Sequence, residues 1–457
     1  MSLKLYSRRR GRGILPATIR AVWRSGLAAV CALVLVLSWP VRCAAYSVLS
    51  HEAIIDSAWD TNIKPVLLKR FPNATLDELR QAHGYAYGGA IIQDLGYYPH
   101  GSIIFSDLTH YVRSGDFVLA LLRDARESNE LNDYAFALGA LAHYAADIAG
   151  HPIATNRAVP LLYPKLQKKY GDSVTYEDDS LAHVKTEFGF DVLEIAQHRY
   201  APDSYHDFIG FQVAAPLLER AFQETYGLPL KAVLLDEDKV LNSYRRAVSN
   251  QIPKATRIAW SLKKDEIQKD APGITKRRFL YNLSRASYEK QWGKNYQPPT
   301  FGEKFLAFLY KLVPKIGPLR VLQFRTPTPQ TEKMFEESFN TTLDRYRAFL
   351  SDEAAGHLDL INNNFDTGGI TGPGIYRMND EAHAKLLSML AEQIFAGAPL
   401  AVREELLHFF SEPDAPYATK RNVKAWDKLQ LQLEQLKAAP PPEVLPSLQP
   451  AELPHPR

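Results

Sequence analysis

Two histidine–carboxylate pairs stand out in the first half of this 457-residue chain. His143 and Asp147 lie one helical turn apart, and His151 follows one turn later, just before Pro152. The run Ala182-His183-Val-Lys-Thr-Glu187 repeats the i,i+4 spacing with a glutamate. Side chains so spaced share a helix face and can chelate one ion. The stretch Tyr134-Ala-Phe-Ala-Leu-Gly-Ala-Leu-Ala142 is apolar on every side, which predicts a buried helix. An ionised carboxylate there is costly unless it is paired or bound to metal. Either pair alone reads most simply as a buried hydrogen bond. Both pairs with His151, all between positions 143 and 187, point to metal.

Three more donors precede them: His51, Asp94 in Gly89-Ala-Ile-Ile-Gln-Asp94, and His110 in Ser106-Asp-Leu-Thr-His110. A loop aspartate is usually a cap and a lone histidine is usually solvated. A fourth donor depends on processing. The basic stretch through Arg24, the apolar run 26–39 and the small residues of Cys43-Ala44-Ala45 have the form of a signal peptide over residues 1–45. Cleavage after Ala45 makes Tyr46 the first residue, and its free α-amine and carbonyl can join a nearby histidine on zinc. The expected location is secreted or periplasmic.

In this order the residues resemble the zinc-dependent phospholipase C family, related to the trinuclear zinc single-strand nucleases. The resemblance rests on Tyr46…His51, Asp94, His110, His143-Tyr-Ala-Ala-Asp147, His151-Pro-Ile-Ala-Thr-Asn156 and His183-Val-Lys-Thr-Glu187. It implies about three Zn2+ ions, a set typical of open catalytic positions. One would lie on Asp94, His110, His143 and Asp147. A second would take the Tyr46 amine and carbonyl, His51 and the other oxygen of Asp147. The third would lie on His151, His183 and Glu187. Asp94 would also accept the proton of the attacking water. Two departures stand out: Tyr46 replaces the family's usual Trp, and His151 follows Asp147 by four residues where better-known relatives have six. A nitrogen and oxygen donor set suits zinc and is compatible with manganese or iron.

The elements that must position these residues are helices. Apolar three- and four-residue spacing covers 76–83, 116–126, 132–150, 180–198, 211–226, 237–263 (with a break at Pro253) and 276–291, and then 302–312, 331–350, 380–395, 401–410 and 422–437. Strand-like runs are scarce, the best being 64–68 and 101–105. The fold class is all-α. The expected division is a phospholipase C-like domain at 46–270, a helical C-terminal region at 271–437 and a proline-rich disordered tail at 438–457.

Composition narrows the function. Of the 54 basic and 51 acidic residues, residues 1–45 hold eight basic and no acidic ones, so the remainder is net acidic. That argues against a basic nucleic-acid groove. Both cysteines, Cys31 and Cys43, lie in the signal, which excludes thiolate catalysis and cysteine-bound zinc from the mature chain. Asp366-Thr-Gly368 has the form of an aspartic-protease motif, but it occurs once and without strands, so it reads as chance.

The expected function is therefore an exported phosphodiesterase of phospholipase C type that uses metal-activated water. Its partners would be a phospholipid or other phosphodiester substrate and a peripheral membrane contact. Tyr85, Tyr87, Tyr97 and Tyr98 are candidates to receive a quaternary ammonium headgroup. The alternatives are a zinc-dependent single-strand nuclease and a non-catalytic helical binding protein with residual metal sites.

Overall fold

The computed structural model describes residues 48–98, 100–196, 211–234, 236–246, 269, 320–321 and 323–440. The signal segment, Tyr46, Pro253, the boundary at Asp270, the helices expected at 276–291 and 302–312, and the tail from 441 lie outside the described residues.

Every regular element among the described residues is helical, with one isolated bridge, Asn363 to Ile370. In chain order, α1 is Val48–Ala58, followed by a π turn at Trp59–Ile63, then α2 Lys64–Arg70 and α3 Leu76–Gly89. A 3-10 turn, Ile92–Tyr97, leads to α4 Ile103–Tyr111, α5 Ser114–Ser128 and α6 Leu131–Gly150. A second π turn, His151–Thr155, is followed by α7 Asn156–Leu162, α8 Pro164–Tyr170, α9 Ser180–Ala196, α10 Ala215–Tyr226 and α11 Glu237–Arg246. The later helices are α12 Pro329–Ala355, α13 Arg377–Glu392, α14 Leu400–Phe409 and α15 Val423–Ala438. Both strand-like runs are helical instead: 64–68 lies in α2, and 101–105 runs into α4. In the second case Phe105, Leu108 and Val112 fall on one helical face and are buried, so tertiary packing overrides the local β preference.

Helix α6 is the axis of the molecule, and every residue from Tyr134 to Gly150 is buried. Helix α3 crosses it at very close range. A Cβ on Gly139 would lie 2.1 Å from the Ala86 carbonyl oxygen, so only glycine allows this approach. Helix α12 covers another face. Tyr346 donates its hydroxyl to the Leu138 carbonyl at 2.8 Å, and Glu353 receives Arg126 at 2.6 and 2.8 Å and Tyr134 at 3.1 Å. One continuous core joins Ile54, Phe136, Leu217, Tyr346, Leu387 and Leu433. Helices α12 to α15 therefore pack into the same apolar interior as α1 to α7 and α9 to α11.

Candidate metal centre

His143, Asp147 and His151 leave α6 and its π turn as a fan. Each i,i+4 step advances about 40° around the helix, because four residues at 3.6 per turn overshoot one turn. His143 and Asp147 thus face α1 and α4, while His151 turns toward α9. The close α3–α6 packing at Gly139 also brings the Ala90 carbonyl within 2.9 Å of His143 Nδ1.

Two compact donor sets result: His51, His143 and Asp147, and Asp94, His110 and His143. Asp147 is shared by geometry. Its Oδ1 is 3.6 Å from His51 Nε2, while its Oδ2 is 3.2 Å from His143 Nε2 and 3.6 Å from His110 Nε2. Asp94 Oδ1 is 3.3 Å from His110 Nε2. All these side chains are buried. The His51 and His143 rings stack with centroids 4.4 Å apart.

The alignment of these contacts is informative. His143 Nδ1 donates to the Ala90 carbonyl, and His110 Nδ1 donates to the Ser106 carbonyl at 2.8 Å. Each ring is thereby held in the tautomer whose Nε2 lone pair faces the centre. Yet His143 Nε2, His110 Nε2, Asp94 Oδ1 and both Asp147 oxygens form no hydrogen bond despite their nearness. Buried polar atoms are rarely left so. Lone pairs that converge on a common point, rather than on one another, are what ligands of a shared cation require. The donor set and its geometry therefore fit zinc.

The third expected group appears as two pairs. His183 Nδ1 is 2.8 Å from Glu187 Oε1 across one turn of α9, and the His183 ring centroid is 5.0 Å from that of His151. His183 Nε2 bonds Asn156 Oδ1 at 2.9 Å, which fixes its tautomer with Nδ1 inward. The second pair joins His151 to a residue from the far end of the chain: His151 Nδ1 is 3.2 Å from Asp366 Oδ1. Helix α9 also anchors the start of α1, because Asp191 accepts from Leu49 N at 3.3 Å and from Ser50 Oγ at 2.8 Å.

Charges at the centre are strongly perturbed. Burial, reinforced by the neighbouring His143, pushes His51 down to about 3. Burial raises Asp94 well above the usual carboxylate range. Burial acts the same way on Asp147, but the adjacent His143 and His151 rings outweigh it and hold that carboxyl low. Burial also lowers His151, but the carboxylates of Asp366 and Asp147 overcome it and raise that ring to about 9.

Residues 50–235 match the family described as zinc dependent phospholipase C. Over these residues the chain is similar to the zinc-dependent phospholipase C family. That likeness implies a hydrolase acting on phosphodiesters. No curated protein and no solved structure matches the chain. The phospholipase C segment contains every donor anticipated from sequence except Tyr46, and it ends well before Asp366.

The sequence reading gave the loop between α12 and α13 no part in the centre. Asn362 Oδ1 accepts from Gly115 N and Asp116 N, both at 3.0 Å, at the first turn of α5. Phe365 is fully buried, with its ring 5.0 Å from that of His110 and 5.9 Å from that of His143. Gly368 adopts φ 68°, and a Cβ there would meet the Ile148 carbonyl oxygen at 2.6 Å, so the loop lies directly on the end of α6. Of the four tyrosines considered for headgroup binding, Tyr87 donates to Asp56 and Tyr98 packs edge-on to Tyr244. Tyr97 borders the centre, 5.8 Å from the His110 ring and 6.2 Å from Tyr176, a neighbour of His183.

Proposed function

We propose that this chain is an exported, zinc-dependent phospholipase C that hydrolyses a phospholipid to diacylglycerol and a phosphorylated headgroup. The observation that carries the reading is the pair of buried donor sets sharing His143, in which His143 Nε2, His110 Nε2, Asp94 Oδ1 and both Asp147 oxygens lie close together without hydrogen bonds. Asp94, His110, His143 and Asp147 would hold one zinc. The Tyr46 amine and carbonyl, His51 and Asp147 would hold a second, and His151, His183 and Glu187 a third. Zinc at such positions supplies a water acidified toward neutrality and positive charge for phosphoryl oxygens.

The protein's own groups do the rest. Asp94 presents Oδ1 to the centre with no competing hydrogen bond, placed to take the proton of the attacking water. The carbonyls of Ala90 and Ser106 hold the His143 and His110 rings in place. Phe365 and Tyr97 form apolar walls that exclude bulk water. Exposed Ile361, Ile370 and Ile375 flank the Asp366 loop and support a peripheral lipid contact. Among the described residues no helix is long and apolar enough to cross a membrane.

The test is to give the purified full chain phospholipid vesicles and, separately, single-stranded nucleic acid. The expected result is diacylglycerol and a water-soluble phosphorylated headgroup, both abolished by a chelator and restored by zinc. Chelator-sensitive cleavage of nucleic acid without lipid turnover would replace this reading with the nuclease one. Loss of both with no bound zinc would leave a helical binding protein.

A further inference from the structure

Asp366 is buried, and its two oxygens have different surroundings. Oδ2 accepts the hydroxyl of Tyr111 at 2.7 Å and also that of Tyr376. Oδ1 faces His151 Nδ1 at 3.2 Å. We infer that Asp366 is a protein ligand of the ion held by His151, His183 and Glu187, so that the C-terminal half completes the third metal position. The inference rests on the zinc reading above and extends it to a residue outside the family segment.

The first argument is alignment. His151 Nδ1 lies 3.2 Å from Asp366 Oδ1 without the alignment of a good hydrogen bond. The same combination of short distance and poor alignment marks His143–Asp147 at 3.2 Å and His110–Asp94 at 3.3 Å. Two donors bound tetrahedrally at about 2.0–2.2 Å from one ion lie about 3.4 Å apart.

The second argument is registration. Asn156 donates Nδ2 to the Asp366 main-chain carbonyl at 2.6 Å and receives His183 Nε2 on its own oxygen at 2.9 Å. One amide thus sets the position of the Asp366 loop and the direction of the His183 lone pair. Asn364 Oδ1 fixes the loop backbone further, accepting from Asp366 N at 2.9 Å and Thr367 N at 3.1 Å.

The third argument is charge. Once an ion displaces the ring proton of His151, two neutral imidazoles and Glu187 would leave a divalent ion with one uncompensated positive charge in a buried setting, which is unfavourable. A second carboxylate neutralises it. The carboxylate in place is Asp366.

The experiment compares zinc per chain, after dialysis against a mild chelator, for the full-length wild type, Asp366→Asn, Asp366→Ala and Tyr376→Phe, with circular dichroism confirming the helical fold. Asp366→Asn keeps an oxygen that can accept from His151 but loses the charge that ligates. The inference expects both Asp366 variants to hold one zinc fewer than wild type, while Tyr376→Phe keeps the wild-type number. Wild-type zinc content in Asp366→Asn overturns it and makes Asp366 an orienting or purely structural group. Negligible zinc in the wild type itself overturns the zinc reading instead. Should the Asp366 variants fail to fold, anomalous scattering from crystals of the wild type decides. An ion about 2.0–2.2 Å from Asp366 Oδ1 supports the inference, and one bound by His151, His183 and Glu187 beyond reach of Asp366 rejects it.

Discussion

The side-chain amide of Asn156 donates to the main-chain carbonyl of Asp366 at 2.6 Å, joining positions 210 residues apart. Because the same amide accepts from His183 Nε2, Asn156→Ala removes two buried hydrogen bonds at once. The expected loss is about 1–3 kcal/mol of stability for the groups left unpaired. A further weakening of about 10–100-fold in the affinity of the third ion is expected from loss of ring orientation. Thermal unfolding with and without chelator separates the two effects: the stability loss persists in chelator, and the metal-linked part does not.

Asp147 offers one oxygen to His51 and the other to His143 and His110. Asp147→Asn should therefore disturb two metal positions together, lowering zinc content by more than one ion and abolishing phosphodiester hydrolysis. Elemental analysis beside a turnover assay checks this. Loss of turnover with full zinc content would count against a shared ligand.

The α3–α6 crossing leaves no space at Gly139, where a Cβ would sit 2.1 Å from Ala86 O. Gly139→Ala is expected to destabilise by at least about 1–3 kcal/mol through forced backbone separation. It should also weaken metal binding, because Ala90 and its hydrogen bond to His143 lie in the adjoining turn. Gly369→Ala is the control, since its nearest neighbour would be 3.7 Å away. Urea unfolding midpoints should fall for the first and stay near wild type for the second.

Away from the metal centre, Asp124 is buried with an unpartnered Oδ2, and burial, with Glu224 adding to it, raises its carboxyl to about 6. The folded state binds this proton more tightly than the unfolded chain does. The contribution is thus full below the unfolded value of 3.8 and is lost as pH rises through about 6. Asp124→Asn removes the ionisation and should stabilise the protein by about 1–2 kcal/mol near pH 8, with the gain vanishing below about pH 4. Melting temperatures across that range test the sign, and a gain that grows toward acid would refute it.

If Tyr46 becomes the first residue, its amine joins His51 at the second position. Protein beginning at Tyr46 should hold about three zinc ions, and protein extended by one Met about two. Equal zinc content in the two forms would remove the α-amine from the ligand set.

The legible part of this centre is the part encoded locally. His143–Asp147 and His183–Glu187 were readable because i,i+4 spacing on a helix dictates a common face whatever the tertiary packing. His110 and Asp94 were readable only through family order, since a buried lone histidine and a solvated one look alike in sequence. The element carrying His110 was not marked by a helical pattern, because Gly101-Ser-Ile-Ile-Phe105 has strand-like composition and packing in the core makes 103–111 helical. Asp366 was out of reach altogether. Its Asp-Thr-Gly context resembles an unrelated motif, and nothing local reveals that α12 and α13 fold the loop back onto α6. Long-range placement of this kind depends on the whole core, which no short window contains.

The loop from Leu360 to Tyr376 bonds to the first turn of α5, to α4, to α6 and to α7 through Asn362, Phe365, Asn363 and Asp366. The catalytic module is therefore not a transplantable unit. A protein cut back to the family segment would keep the residues that define the family, yet it would expose Tyr144, Phe365's partners on His110 and His143, and the inward edge of His151 to solvent. Shuffling this segment into another chain would require a substitute for the missing cover. Structural support of the centre accordingly comes from more than a hundred residues past the end of the segment that matches the family.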